Sequence, residues 1–362
     1  MDDLVALPPQ PADVPWPTSE WSTGAPDVAD PERLASLVDG AFTEPGAAAL
    51  GHTHALAVVQ GGRLVVERYG TRFVSELEEI SGIRPEAITA DTGLISWSMA
   101  KSILHAVVGL LVGDGVVDVA ARAPVPTWSD PADPRRRITW DDLLTMRPGL
   151  AWLEEYYEFD GTRLPDVVSM LFGEGNADMA GFAAGFPLVQ EPGSAAAYTY
   201  SSGTSNIISA CVGRVVGGGE AGMRSFLVER LFGPIGMTTA EPSFDAAGTF
   251  VASSYVDASA RDFARFGLLY LRDGMWEGRR LLPAGWVDHG RRPRSPDEDS
   301  FHGAHWWARD DGRGTFFADG FEGQRILLVP DADVVLVRLG KTHTDLDPAL
   351  DAHLSDITGC FA

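Results

Sequence analysis

Lysine is nearly missing from this chain of 362 residues: of its 28 basic residues, only Lys101 and Lys341 are lysines. Arginine stays protonated at any working pH, so almost all of the positive charge is unable to act as a base, and Lys101 and Lys341 are the two amines that could. Cysteine is as scarce. Cys211 and Cys360 define neither a disulfide framework nor a zinc-binding spacing. No stretch reaches about 18 uninterrupted apolar residues, the length a membrane helix needs. The first residues, MDDLVALPPQPADVPWP, are acidic and proline-rich and lack the basic start and apolar core of a signal peptide. A soluble, cytoplasmic protein with no membrane partner is expected.

Positive charge is short overall. The net charge is -23, which would repel nucleic acid over most of the surface, and Arg135-Arg136-Arg137 and Arg291-Arg292-Pro293-Arg294 are expected to be solvated loops. Among the histidines, His52-x-His54 and His302-x-x-His305 carry no HExxH pattern, so surface or strand positions are expected and no metal. The absence of G-x-S-x-G removes the nucleophile elbow of α/β-hydrolases, and the absence of G-x-x-x-x-G-K-[ST] gives no sign of nucleotide use. No cofactor is expected.

What is present is a core-forming chain, long enough for one large domain or two closely packed ones. Its organising stretch is Leu94-Ile95-Ser96-Trp97-Ser98-Met99-Ala100-Lys101-Ser102. From Met99 to Val112 the residues are apolar on nearly every face, which predicts a buried helix with Ser98 at its start. Lys101 follows one helical turn later, so its amine stacks on the face that carries the Ser98 hydroxyl. A lysine desolvated in a core loses its proton far more readily than one in water, and then serves as a base for a neighbouring hydroxyl. The alternative is a serine N-cap beside a lysine whose stem reaches the surface.

Taken in order, residues 1–29 are proline-rich and predict an extended arm, laid over the body or loose. Asp30-Pro31 opens a helix through Phe42. His54 to Gln60 and Arg63 to Tyr69, joined by Gly61-Gly62, predict a β-hairpin. Thr139, with Asp142 three residues on, caps a short helix. The stretch AWLEEYYEFDGTR mixes Trp152, Tyr156, Tyr157 and Phe159 with Glu154, Glu155, Glu158 and Asp160, either a loop at the rim of a pocket or an exposed acidic turn. Helices are expected near 165–172, 203–217 and 220–232, a β-like run at TFVASSYV from Thr249, and an amphipathic helix at ARDFARFGLLYLRDG. Strands follow at Gly303–Ala308, Thr315–Phe317, Arg325–Val329 and Val334–Leu339, then a terminal helix in LDPALDAHLSDI. Strands at both ends with helices between predict an α/β (α+β) fold with an antiparallel sheet built from both termini. The expected division is the arm at 1–29, a sheet domain from 30–98 and 249–362, and a mainly helical domain at 99–248.

Three separated pieces carry a family resemblance: Ser98-Met99-Ala100-Lys101, Tyr200-Ser201-Ser202 before a helix, and Asp319-Gly320-Phe321-Glu322-Gly323-Gln324 between late strands. Together with ITWDDLLTMRPGLAW, YSSGTSN and DGFEGQRILLVPDADVVLV, they resemble the class C-like branch of the serine β-lactamase and penicillin-binding-protein superfamily. Within it the chain is most similar to carboxylesterases of β-lactamase fold and to hydrolases of linear nylon oligomers. The resemblance implies a β-lactamase-like fold, Ser98 as nucleophile, Lys101 as its base and Tyr200 as proton shuttle. It implies an oxyanion hole from the backbone N–H groups of Ser98 and Phe321. Trp152, Tyr156, Tyr157, Tyr198, Ser202, Asp319 and Gly320 become candidate substrate-binding residues, with Tyr198 an aromatic wall. Two positions depart from the β-lactamase pattern: Ser202 stands where Tyr-x-Asn has its asparagine, and Ala318 precedes Asp319-Gly320 where a lysine or histidine is usual. Lys341-Thr342-His343 lacks the glycine that would make it a substitute, and Lys341 is expected at the surface.

The expected activity is hydrolysis of a small carboxylic ester or amide through an acyl-Ser98 intermediate. A cationic, amine-bearing acyl substrate would suit the acidic loop. A β-lactamase or D-amino-acid peptidase, an acyltransferase, and a catalytically silent binding protein on the same fold remain alternatives. A homodimer is left open.

Overall fold

The computed structural model describes residues 4–43, 46–72, 84–154, 164–297 and 300–361. Helix α1 (Pro31–Gly40) begins where Asp30 accepts a hydrogen bond from the Arg33 N–H and Pro31 occupies the first turn. Gly61 and Gly62, with φ of 56° and 74°, turn β1 (His52–Gln60) into β2 (Arg63–Tyr69). The chain then runs through a three-residue 3₁₀ turn, Trp97–Met99, into α2 (Ala100–Gly113). Downstream come α3 (Trp140–Leu144), boxed by Thr139 and Asp142, and α4 (Ser202–Val216), capped by Ser201. Further helices at Asp166–Phe172, Met179–Ala184 and Gly219–Leu227 fill the region between the strands. Helix α5 (Ala260–Leu271) precedes the late strands β3 (Ser295–Asp297), β4 (Ser300–His302), β5 (Trp307–Ala308), β6 (Phe316–Gly320), β7 (Gln324–Val329) and β8 (Val334–Lys341), and α6 (Asp347–Gly359) closes the chain.

The eight strands form one antiparallel sheet in the order β3-β4-β5-β6-β7-β8-β1-β2. The N-terminal hairpin is thus added to the C-terminal meander through the β1–β8 pair, from His52 opposite Lys341 to Gln60 opposite Val334. This is the antiparallel sheet from both termini, with a helical region between, that the strand distribution predicts. Alternation along β1 sends Ala55, Ala57 and Val59 into the core shared with α2 and α5, and Leu56 and Val58 into a second core under α1 and α6. Because both faces are covered there, β1 is apolar without a break from Ala55 to Val59. Helix α5 approaches the sheet at Gly267, where a Cβ would lie 2.6 Å from Val335 Cγ1.

Several local expectations are corrected or narrowed to one of their alternatives. The run TFVASSYV supplies a strand only at Val256–Ala258, which pairs with Leu94–Ile95 and Glu241–Pro242. Before it the chain folds back in a buried turn, with Ser254 and Tyr255 N–H groups bonded to the Val251 carbonyl. The N-terminal arm is laid over the body: Trp16 packs on Trp276 at 4.9 Å, and Arg265 and Arg272 donate to the carbonyls of Pro17 and Pro8. Neither arginine run is merely solvated, since Arg135 grips Asp133 and the Ala184 carbonyl, and Arg291 is buried against Asp288 and the Val5 carbonyl. The helix expected at 220–232 ends at Leu227 and continues as one π-helical turn, Val228–Phe232. Lys341 is exposed but is the last residue of β8 rather than beyond it. Among the described residues no helix is long and apolar enough to cross a membrane.

Arg338 on β8 is fully buried, yet its guanidinium donates to the carbonyls of His52, Glu322 and Gly323 and to the hydroxyl of Thr342. These contacts tie the β1–β8 junction to the turn after β6. Arg338→Ala would strand those acceptors and is expected to lower unfolding free energy by about 2–4 kcal/mol. Urea denaturation checks this, and an unchanged midpoint would refute it.

Candidate active site

The entry to Ser98 is anchored on both sides. Ser96 N–H bonds the Val256 carbonyl, and Ser96 Oγ bonds the Ser254 carbonyl while accepting the Val256 N–H. Trp97 then takes φ +43°, a conformation costly for a non-glycine residue and tolerated only where the surroundings over-determine it. Here the Trp97 indole donates to Glu322 Oε2 at 3.2 Å and packs edge-on to Phe321 at 5.6 Å. Glu322 itself has φ +61°. The residue before Ser98 and the residue after Phe321 are therefore hydrogen-bonded to each other, which couples the turns carrying the two proposed oxyanion amides.

Lys101 lies on the first turn of α2, buried, with Nζ 2.8 Å from Ser98 Oγ, 3.0 Å from Ser202 Oγ and 2.9 Å from the Ser253 carbonyl. Burial lowers its pKa to about 8, against the opposing pull of the Glu154 and Asp319 carboxylates. This is the amine that the one-turn spacing predicts, and the surface-reaching alternative does not occur. Its ammonium also lies 4.9 Å from the centre of the Tyr200 ring, over the face.

Ser202 starts α4, so its N–H has no partner inside the helix. Glu154 supplies one: its Oε2 accepts from the Ser202 N–H at 2.9 Å and from the Trp152 indole at 2.6 Å, and its Oε1 accepts from the Ser202 hydroxyl at 2.5 Å. The first carboxylate of the stretch AWLEEYYEFDGTR thus points inward and is held by protein donors. Tyr156 and Tyr157, with Glu155, Glu158, Phe159 and Asp160, lie outside the described residues.

A cavity of about 590 Å³ brings together Ser98, Trp152, Tyr198, Tyr200, Ser202, Asp319, Gly320 and Phe321. Tyr198 donates its hydroxyl to Asp297 Oδ2 at 2.6 Å, and burial together with that carboxylate raises its pKa, so it stays a neutral wall. Asp319 is ion-paired with Arg325, which also reaches Asp347 and Asp351. Gly320 is needed for close approach, since a Cβ there would lie 2.3 Å from the Ser96 carbonyl oxygen.

Sequence reasoning missed Glu154 as an internal partner, Glu322, Asp297, and the two histidines behind the cavity. Of the surface or strand positions expected, His302 takes the strand one, at the end of β4, and neither His302 nor His305 is at the surface; burial holds both neutral. His305 bonds Ser205 Oγ at 3.0 Å and the Leu144 carbonyl at 2.7 Å, and the His302 ring lies 6.0 Å from Tyr200. The strand expected at Gly303–Ala308 starts after His302 and contains His305, whereas the chain forms strands at Ser300–His302 and Trp307–Ala308 with His305 in the turn between them.

A serine hydroxyl and a desolvated lysine amine lie on one turn, under a cavity closed by the end of a late strand, an arrangement of the serine hydrolase class. Comparison with known proteins gives its family. The family model described as Beta-lactamase matches residues 34–357, and the chain belongs to that family. The 6-aminohexanoate-dimer hydrolase of Paenarthrobacter ureafaciens is 24% identical over 304 residues, spanning 80% of this chain and 72% of that protein. An uncharacterized protein of Mycobacterium tuberculosis is 27% identical over 272 residues, 60% of this chain and 63% of the other. A Bacillus anthracis structure provisionally assigned as a 6-aminohexanoate-dimer hydrolase superposes with a TM-score of 0.71 at 20% identity, covering 97% of this chain and 89% of that one. A penicillin-binding protein of Bacillus halodurans superposes with a TM-score of 0.64 at 14% identity, over 88% and 99%. At these identities the structural likenesses concern the fold.

Proposed function

We propose that the protein hydrolyses a small, linear carboxylic ester or amide through an acyl-Ser98 intermediate. The observation that carries this reading is the 2.8 Å contact between Ser98 Oγ and the buried amine of Lys101. In the free-base form Lys101 takes the Ser98 proton as Oγ attacks the substrate carbonyl. The carbonyl oxygen, now negative, is received by the backbone N–H groups of Ser98 and Phe321. Tyr200, beside the lysine, relays the proton to the departing alcohol or amine. Water then enters, is deprotonated by the same base and releases the acid.

The substrate reading rests on what surrounds this centre. Ala318 stands where a β-lactamase presents a cation to its substrate's carboxylate, and Asp319, Asp297, Glu322 and Asp347 line the cavity. Such a wall disfavours an anionic β-lactam and favours neutral or amine-bearing chains. The 6-aminohexanoate-dimer hydrolase among the relatives suggests a linear aminoacyl amide as a first substrate to try.

A fluorophosphonate probe followed by peptide mass spectrometry tests the centre, and turnover of p-nitrophenyl butyrate, 6-aminohexanoate dimer and nitrocefin tests the range. One adduct on the Ser98 peptide with ester or aminohexanoate turnover is expected. Nitrocefin as the best substrate would replace this reading by a β-lactamase, and neither adduct nor turnover in folded protein would favour a binding protein.

A further inference from the structure

We infer that Glu154 is a positioning residue that sets the direction of the hydrogen-bond chain Glu154–Ser202–Lys101 and thereby aims the lone pair of Lys101 at Ser98. The inference rests on the proposed roles of Ser98 and Lys101 and adds a residue that neither motif nor family resemblance assigns.

Three partners surround Lys101 Nζ: Ser98 Oγ, Ser202 Oγ and the Ser253 carbonyl. A neutral amine has two N–H bonds and one lone pair, so two partners must accept and one must donate for it to act as a base. The Ser253 carbonyl only accepts. Ser98 and Ser202 are hydroxyls, and either could donate, so the amine alone does not decide which serine it deprotonates.

Glu154 decides. A carboxylate accepts and does not donate, and its Oε1 lies 2.5 Å from Ser202 Oγ, so the Ser202 proton is committed to Glu154. Ser202 then offers Lys101 only a lone pair. With both N–H bonds taken by Ser202 and Ser253, the lone pair is left for the Ser98 hydroxyl. The proton transfer is balanced within the pair: the Ser98 O–H bond breaks, an N–H bond forms on Lys101, and the resulting ammonium keeps all three contacts without moving.

The other carboxylate oxygen makes the device sensitive to an isosteric change. Oε2 accepts from two N–H groups, those of Ser202 and the Trp152 indole. In Glu154→Gln the amide oxygen must take that place, because an NH₂ group would face two donors. The NH₂ then faces Ser202 Oγ and donates to it. The Ser202 proton turns toward Lys101 and occupies the lone pair that Ser98 requires.

Glu154→Gln is therefore expected to slow fluorophosphonate labelling of Ser98 and kcat for p-nitrophenyl butyrate by about 30- to 100-fold, the size of one misdirected hydrogen bond, with KM within about twofold. A simple charge effect predicts the opposite sign. Glu154 and Asp319 hold the proton on Lys101 while His302 and His305 are neutral and Tyr200 presents its ring face, so removing one carboxylate would free more base at neutral pH.

The decisive measurement is a double-mutant cycle with Ser202→Ala, which removes the hydroxyl that transmits the effect. The single Ser202→Ala variant is expected to label only about fivefold more slowly, since it deletes an acceptor without blocking the lone pair. In that background Glu154→Gln should change the rate by less than about twofold. An equal loss in both backgrounds would assign Glu154 a general structural role and overturn the inference, as would unchanged or faster labelling of the single variant. Failure of the wild type itself to label at Ser98 would overturn the underlying assignment of Ser98 and Lys101, an outcome distinct from both.

Discussion

Replacing Lys101 by methionine is expected to reduce acylation of Ser98 by about 10⁴-fold, the upper end of what a positioned general base supplies. Methionine fills a similar volume, so the variant is expected to fold and to bind substrate with little change in KM. The pH dependence gives the sharper signature. On the proposed mechanism Lys101 acts only as the free amine, so kcat/KM should rise with pH through about 8, where burial has brought its pKa. That limb should vanish in Lys101→Met. Stability should carry the same mark. The folded protein releases this proton near pH 8 and the unfolded chain only near 10.5, the ordinary lysine value. Between these limits the unfolded state binds more protons, so rising pH stabilises the fold, and the slope should flatten in the variant. A pH-rate profile and a series of urea titrations check both. Retained labelling of Ser98 in Lys101→Met would show that another group takes the proton.

Gly320→Ala is expected to lower kcat for p-nitrophenyl butyrate by about 10²- to 10³-fold, the effect of losing one oxyanion donor. The glycine is not needed for its own backbone angle, since φ is -136°, within reach of any residue. It is needed because the end of β6 runs against the Ser96 carbonyl, where an added methyl would overlap at 2.3 Å and must push strand and turn apart. Both sides of that contact are stiff. Ser96 is held by Val256 and Ser254, while Gln324 ties the Phe321 and Glu322 carbonyls to Gly340. The added methyl therefore changes the separation of the Ser98 and Phe321 N–H groups, and the Trp97–Glu322 hydrogen bond that spans them. The loss should fall on kcat with KM nearly unchanged, because these donors act on the charge of the transition state. Wild-type kcat in a folded Gly320→Ala protein would remove Phe321 from the oxyanion hole.

How much of this was legible beforehand depends on the distance over which each feature is determined. Ser98 and Lys101 are three residues apart, and a helical turn brings them together whatever the rest of the chain does. The hairpin at Gly61-Gly62 and the caps at Asp30 and Thr139 are equally local. The inward turn of Glu154 is different. Its partner Ser202 is 48 residues away, and nothing in AWLEEYYEFDGTR distinguishes a carboxylate that caps a distant helix from one that faces water. Trp97 and Glu322, separated by 225 residues, were likewise invisible as a pair. Single-face periodicity predicts an exposed side, and so it could not show that His302 and His305 are enclosed behind the cavity.

By itself, then, the sequence determined the chemistry that one turn can hold: a hydroxyl beside a single amine, in a chain whose other basic residues are almost all arginine. It also determined which segments alternate or repeat as strands and helices, because those patterns follow from backbone geometry alone. Only the tertiary structure decided that β1 joins β8, that Lys101 is stripped of water and so brought toward its free base, and that Ser202 accepts from it rather than donates. Those outcomes depend on which distant groups share a small, dry volume. A hydrogen bond acquires its direction there from the whole set of partners, and no local spacing encodes that set.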